Sequence, residues 1–311
     1  MTPLFITDVG PRDGLQSQAT LVSSAGKQQL IAALFRAGLG SVEATSFVSP
    51  QAVPQMADAE EVLRGVQVPP GARLSVLTPN LRGLSRALAS GAQEISVVLS
   101  ATETMNQKNI RMGLSQALAA SCETLQAARQ AGLRTRAYVA VAFACPFEGL
   151  TAPDTVLRLV DAMAEAGADE VVLADTIGAA SPRDVGQLLT QVLARLPVER
   201  LGLHLHDTRG MALANAWVAL DLGVQRLDAS LGGLGGCPFA PGASGNLATE
   251  DLLVLAQQLG LHTGIDASAL LQAIDLAQSL VGYPIGGKSL RWLRRQYPVI
   301  EATQGSPTCP S

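Results

Sequence analysis

Residues 170–206 read EVVLADTIGAASPRDVGQLLTQVLARLPVERLGLHLH. The outer runs, Glu170 to Ala174 and Arg200 to His206, have the length and apolar content of buried strands. Between them Val185, Leu188, Leu189, Val192 and Leu196 fall on one stripe of a helix over Arg183 to Leu196, so one face packs and the other meets water. Strand, helix and strand in close succession make a crossover unit of a parallel sheet.

Outward from that unit the same alternation repeats roughly eight times across residues 4 to 260. The other expected strands are Leu4 to Val9, Ser41 to Phe47, Arg73 to Leu77, Glu94 to Leu99, Thr135 to Phe143 and Val224 to Ser230. Further helices are expected at Lys27 to Ala37, Ser115 to Gln130, Thr155 to Ala166 and Met211 to Leu222. Several end in Ala-Gly or Leu-Gly, a helix C-terminal stop. This count and span match a closed (β/α)8 TIM barrel. A doubly wound sheet usually carries a Gly-rich phosphate turn after its first strand. Here that turn is Gly10-Pro11-Arg12-Asp13-Gly14, which does not fit. An extra helix follows at Ala267 to Leu280. The chain divides into a barrel over 1–281 and a partly ordered C-terminal tail over 282–311, rich in Pro, Gly and Arg.

The 311 residues are 48% hydrophobic, with 26 acidic and 22 basic side chains, a net charge of −4 and 4% aromatics. Such a chain can bury a large core. It lacks the basic stripe and stacking platform of a nucleic-acid binder, so no nucleic-acid partner is expected. No secretion signal is visible at the N-terminus. The longest near-continuous apolar run, Ala137 to Cys145, falls short of the roughly 20 residues that span a bilayer, and is expected to be a buried strand. No membrane association is expected. Cys122, Cys145, Cys237 and Cys309 are scattered, which fits reduced thiols in the cytoplasm.

In a barrel of this kind functional side chains gather where strands end. Asp13, Glu43, Asp175, His204, His206 and Asn246 lie at or just after strand ends. His204-Leu205-His206 places two imidazoles on one face of a strand, either as a hydrogen-bonded core pair or as ligands. Asp13 is a turn residue or an oxygen ligand beside them, a mixture that suits Mg2+ or Mn2+. Asn246 is an N-cap, a ligand or both. Arg12, with no obvious carboxylate near it in sequence, is a surface charge or a planar donor to an oxyanion. Cys237, after a glycine run, is inert or catalytic. His262 lies away from the strand ends and reads as structural. Lys27, Lys108 and Lys288 are the only lysines. None falls in an expected strand, which argues against Schiff-base chemistry.

Three stretches carry a close resemblance to the 3-hydroxy-3-methylglutaryl-CoA lyase family, within the metal-dependent barrel lyases and Claisen synthases. They are Val9-Gly10-Pro11-Arg12-Asp13-Gly14-Leu15-Gln16, then Glu43-Ala44-Thr45-Ser46-Phe47-Val48-Ser49-Pro50, and Gly232 to Asp251, GGLGGCPFAPGASGNLATED. The resemblance spans most of residues 4–264. It implies a divalent cation, Mg2+ or Mn2+, held by Asp13, His204, His206 and Asn246. It implies catalytic roles for Arg12, Glu43, Asp175 and Cys237, and substrate contacts from Arg12, Gln16, Lys108 and Asn109. The implied activity is cleavage of 3-hydroxy-3-methylglutaryl-CoA to acetyl-CoA and acetoacetate by a homodimer. Cleavage of a longer 3-hydroxyacyl-CoA, or condensation of acetyl-CoA with a 2-oxo acid, is the alternative. A barrel that binds metal or acyl-CoA without catalysis is a third reading. The chain departs from the family pattern at Ser17-Gln18 and after Gly282.

Overall fold

Eight short runs, buried along nearly their whole length, form the barrel in the computed structural model, which describes residues 2–236 and 245–298. They are β1 (Phe5–Asp8), β2 (Ser41–Ser46), β3 (Arg73–Leu77), β4 (Glu94–Ser100), β5 (Arg134–Ala140), β6 (Glu170–Asp175), β7 (Leu201–Leu205) and β8 (Arg226–Ala229). Every neighbouring pair is parallel, and the sheet closes where β1 pairs with both β2 and β8. The closing register sets Phe5 against Arg226 and Asp8 against Ala229.

Helices α1 (Ser24–Arg36), α2 (Ala59–Gly65), α3 (Leu81–Ala89), α4 (Glu103–Ile110), α5 (Leu114–Gln130), α6 (Pro153–Glu165), α7 (Pro182–Leu193), α8 (Ala212–Asp221) and α9 (Thr249–Gln258) cover the outside. In α7, Val185, Leu188, Leu189 and Val192 are buried as the stripe required. Its start is set by Ser181, whose hydroxyl accepts from Asp184 N at 3.3 Å, with Pro182 in the first turn. Pro153 plays the same part in α6. Both helices therefore begin slightly earlier than periodicity alone indicates, because proline suits a position whose N–H has no helical partner.

One expected boundary is corrected. The run Ala137 to Cys145 is not one strand: β5 stops at Ala140 because Val141 adopts φ 50°. A β-branched residue rarely holds that left-handed conformation. Here Val141 N donates to Thr176 Oγ1 at 2.8 Å, and its carbonyl accepts from Thr151 Oγ1 at 2.7 Å. A short antiparallel hairpin, Ala144–Cys145 with Gly149–Leu150, follows. Asp13, expected at or just after a strand end, lies five residues beyond β1, which stops at Asp8. The chain instead enters a wide turn, Gly10–Gly14, where the amides of Arg12, Asp13 and Gly14 converge on Val9 O at 3.2, 2.7 and 3.2 Å.

After the barrel, α10 (Ala267–Val281) lies against α1, and Gly282 ends it with φ 83°. The chain then doubles back over α9. Gly287 N donates to Glu250, Lys288 N and Ser289 N donate to Asp251 at 2.9 and 2.6 Å, and α11 (Leu290–Gln296) follows with Leu293 buried. His262 lies beside β1's start, exchanging backbone bonds with Thr2 and Leu4. Among the described residues no helix is long and apolar enough to cross a membrane.

Candidate active site

Around the ends of β1 and β7, atoms of Asp13, His204 and His206 that could bind a metal lie within 4.8 Å of one another. His204 stands on β7 and His206 one residue past it, so strand alternation sends both imidazoles to the same side. Their Nε2 atoms approach to 3.1 Å. Asn246 comes in on a bridge to His206, and its Nδ2 donates to Asp13 Oδ2 at 2.9 Å and to Leu234 O at 3.1 Å. The cap reading of Asn246 falls, because α9 starts after Ala248 with no side-chain cap.

These residues fit a divalent cation. Asn246 Oδ1 is buried and has no hydrogen-bond partner among the described residues, an arrangement that costs energy unless a ligand meets it. The 3.1 Å between imidazole nitrogens is close to the roughly 3 Å that separates adjacent ligands around an octahedral ion with bonds of about 2.1 Å. Burial raises the Asp13 carboxyl, but Arg12, His204 and His206 outweigh it and hold the group below its usual range. Burial and then the neighbouring His204 lower the His206 imidazole to about 4, so near neutral pH it is unprotonated, as a ligand must be.

Arg12 is no surface charge. It is 7% exposed, with Nε and Nη2 on Glu43 Oε2 and Nη1 on Asp13 Oδ1 at 2.6 Å. Glu43, fully buried on β2, is held in turn by Ser96 Oγ from β4. Gln16 Nε2 reaches Asp13 Oδ1 at 3.0 Å. Asp175 closes β6, and both its oxygens accept from its own loop, Ala179 N at 2.9 Å and Ala180 N at 3.1 Å. Burial raises its carboxyl against those bonds.

A buried group beneath the cluster escapes sequence reasoning. His204 Nδ1 lies 3.2 Å from Asp228 Oδ2 on β8. Arg136 and Tyr138 of β5 reach Asp228 at 2.8 and 2.7 Å, and Arg136 also meets Glu170 at 2.7 Å. Strands β5 and β8 are not neighbours, so these bonds cross the barrel interior. The one signal was spacing: Arg136 and Tyr138 stand two apart on a strand, hence on one face.

Lys108 and Asn109 stay apart from the cluster, exposed on the last turn of α4, where Lys108 Nζ sits 4.9 Å from the Phe147 ring centroid. Cys237 lies outside the described residues, as does Cys309.

A family model described as HMGL-like matches residues 4–277. The chain belongs to the HMGL-like family. Within it, the mitochondrial hydroxymethylglutaryl-CoA lyase of Rattus norvegicus is 47% identical over 270 residues, 87% of this chain and 83% of that protein. The solved hydroxymethylglutaryl-CoA lyase of Pseudomonas aeruginosa superposes with a TM-score of 0.92 at 39% identity, covering 95% of this chain and 98% of the other. An HMG-CoA lyase from Acinetobacter baumannii, solved with coenzyme A and 3-methylmalate, gives 0.89 at 39% identity, covering 98% and 97%.

Proposed function

We propose that the protein cleaves 3-hydroxy-3-methylglutaryl-CoA to acetyl-CoA and acetoacetate, with a divalent cation, Mg2+ or Mn2+, held by Asp13, His204, His206 and Asn246. The observation that carries this reading is the meeting of that ligand set with a pinned Arg12 at one mouth of the barrel. The bound ion would act as a Lewis acid on the substrate's tertiary hydroxyl, lowering its pKa.

In the cleavage the hydroxyl loses its proton and its oxygen becomes the ketone of acetoacetate. The electron pair of the broken C–C bond passes to the methylene carbon next to the thioester and is delocalised onto the thioester oxygen, giving the enolate of acetyl-CoA, which then takes a proton at that methylene carbon. Arg12 commits three of its five N–H groups to Glu43 and Asp13. The remaining two are available to the enolate oxygen, a role in which one lost donor typically costs about 10²–10³ in rate. Glu43 orients Arg12, Asp175 stands by to relay the hydroxyl proton, and Gln16, Lys108 and Asn109 contact the acyl-CoA. Cys237 supplies or shuttles the proton to carbon.

Purified protein is supplied with several 3-hydroxy-3-alkylglutaryl-CoA esters in Mg2+, Mn2+ or EDTA, and products are identified. Acetyl-CoA and acetoacetate from the methyl ester, lost in EDTA, are expected. Free CoA from acetyl-CoA plus a 2-oxo acid, without cleavage, would establish the condensing alternative. The reading includes a homodimer, tested by sedimentation. It also includes a cytoplasmic setting, supported by the free thiols Cys122 and Cys145.

A further inference from the structure

We propose that Asp228, backed by Arg136 and Tyr138, is a positioning residue that keeps the His204 hydrogen on Nδ1 and its lone pair on Nε2, and thereby sets the affinity of the metal site. The metal part of this inference rests on the ligand assignment above; the tautomer part stands on hydrogen bonds alone.

Among the described residues, every other side-chain contact to the Asp228 carboxylate is a donor. Arg136 Nη2 donates to Oδ1 at 2.8 Å, and the Tyr138 hydroxyl donates to Oδ2 at 2.7 Å. That hydroxyl also accepts from Arg136 Nη1 at 2.8 Å, so its single hydrogen is committed to Asp228. Arg136 is itself anchored, with Nη2 and Nε on Glu170 Oε1 at 2.7 and 3.2 Å. Arg136, Tyr138, Glu170 and Asp228 are each at most 5% exposed. A carboxylate so placed only accepts. The remaining neighbour, His204 Nδ1 at 3.2 Å, must therefore be the donor. When the ring is neutral, its lone pair at Nε2 faces His206 and Asp13. A carboxylate behind a ligating imidazole fixes both tautomer and ring orientation.

The two histidines are consequently unequal. His206 Nδ1 is buried without a hydrogen-bond partner among the described residues, so no carboxylate backs that ring; with the His204 lone pair 3.1 Å away, His206 Nε2 carries the hydrogen until a cation displaces it. His204 is the prearranged ligand, whereas His206 must move its hydrogen to Nδ1 before it can ligate.

The chain has three histidines, which makes their ring nitrogens readable by 15N NMR. In the metal-free wild type, at alkaline pH where the ring is neutral, the His204 signal, assigned by its loss in His204→Gln, is expected to show the Nδ1–H form. In Asp228→Asn the amide can donate to Nδ1, so the Nε2–H form is expected, with Mn2+ affinity about 10–100-fold weaker. Glu170→Gln leaves Asp228 in place and is expected to keep the Nδ1–H form. An Nε2–H form in the wild type, or wild-type Mn2+ affinity in folded Asp228→Asn, overturns the proposal. A network that merely filled the barrel would change melting temperature but neither tautomer nor affinity. Failure of the wild type to bind Mn2+ would remove the ligand assignment, while the wild-type tautomer would still decide this one.

Discussion

At Arg12 the planar fork matters more than the charge. Glu43 and Asp13 hold three of its N–H groups in fixed directions. A lysine ammonium is a point charge and cannot satisfy both carboxylates while facing a third oxygen. Arg12→Lys is expected to lower kcat by about 10²–10³ with little change in KM, read from steady-state kinetics; a change confined to KM would make Arg12 a binding residue. Cys237→Ala tests a separate step. Mn2+ affinity should stay at the wild-type value while turnover falls about 10²–10⁴-fold, the usual range for a lost proton-transfer group. Near-normal turnover would take the thiol out of the reaction. The residues that gather at the candidate site could be singled out from local information, two histidines two apart on a strand and acidic or amide groups just past strand ends, but only the family resemblance joined them into one ligand set. The partners could not be singled out. Glu43 lies 31 residues from Arg12, and Asp228 lies 92 from Arg136, distances at which no residue spacing carries a signal.

Between elements, the contact of β1 with α9 carries a pH dependence. Asp8 ends β1 fully buried, accepting from Gly10 N at 2.9 Å and Thr249 Oγ1 at 2.7 Å. Burial pushes its carboxyl up to about 7, against those two bonds. The folded protein thus binds this proton more tightly than the unfolded chain, whose carboxyl titrates near pH 4. Stability from this group is complete below about pH 4 and is lost as pH rises toward 7, at about 1.4 kcal/mol per unit. Asp8→Asn should therefore flatten the fall in melting temperature between pH 5 and 8; parallel profiles for variant and wild type would show that Asp8 does not titrate there. Glu250, on the same helix and raised to about 7 chiefly by burial, leaves part of the slope in place. Strand and helix order was legible from periodicity, whereas the path after Gly282 was not. It depends on Glu250 and Asp251 accepting backbone amides 37 or 38 residues away. The two departures from the family pattern meet there, since Tyr283 donates to Gln18 Oε1 at 2.6 Å.

Over the whole molecule, the site straddles the seam where the barrel closes. Asp13 follows β1, His204 lies on β7 with His206 just past it, and Asn246 follows β8, with the bonded pair Asp13 and Asn246 233 positions apart. Eight repeating units can be counted along a chain, but closure itself is a long-range event in which β1 finds β8. Loop closure over such a separation is entropically costly, so a ligand that binds only the closed form adds stability by mass action. At a Mn2+ concentration about 100 times the dissociation constant the gain is about 2.7 kcal/mol. For a domain of this size that raises the melting temperature by on the order of 5 °C. Calorimetric scans in EDTA and in Mn2+ should show this increment for the wild type and lose it in Asp13→Asn. Equal increments in both proteins would place the ion somewhere other than the seam, and the ligand assignment would go with it.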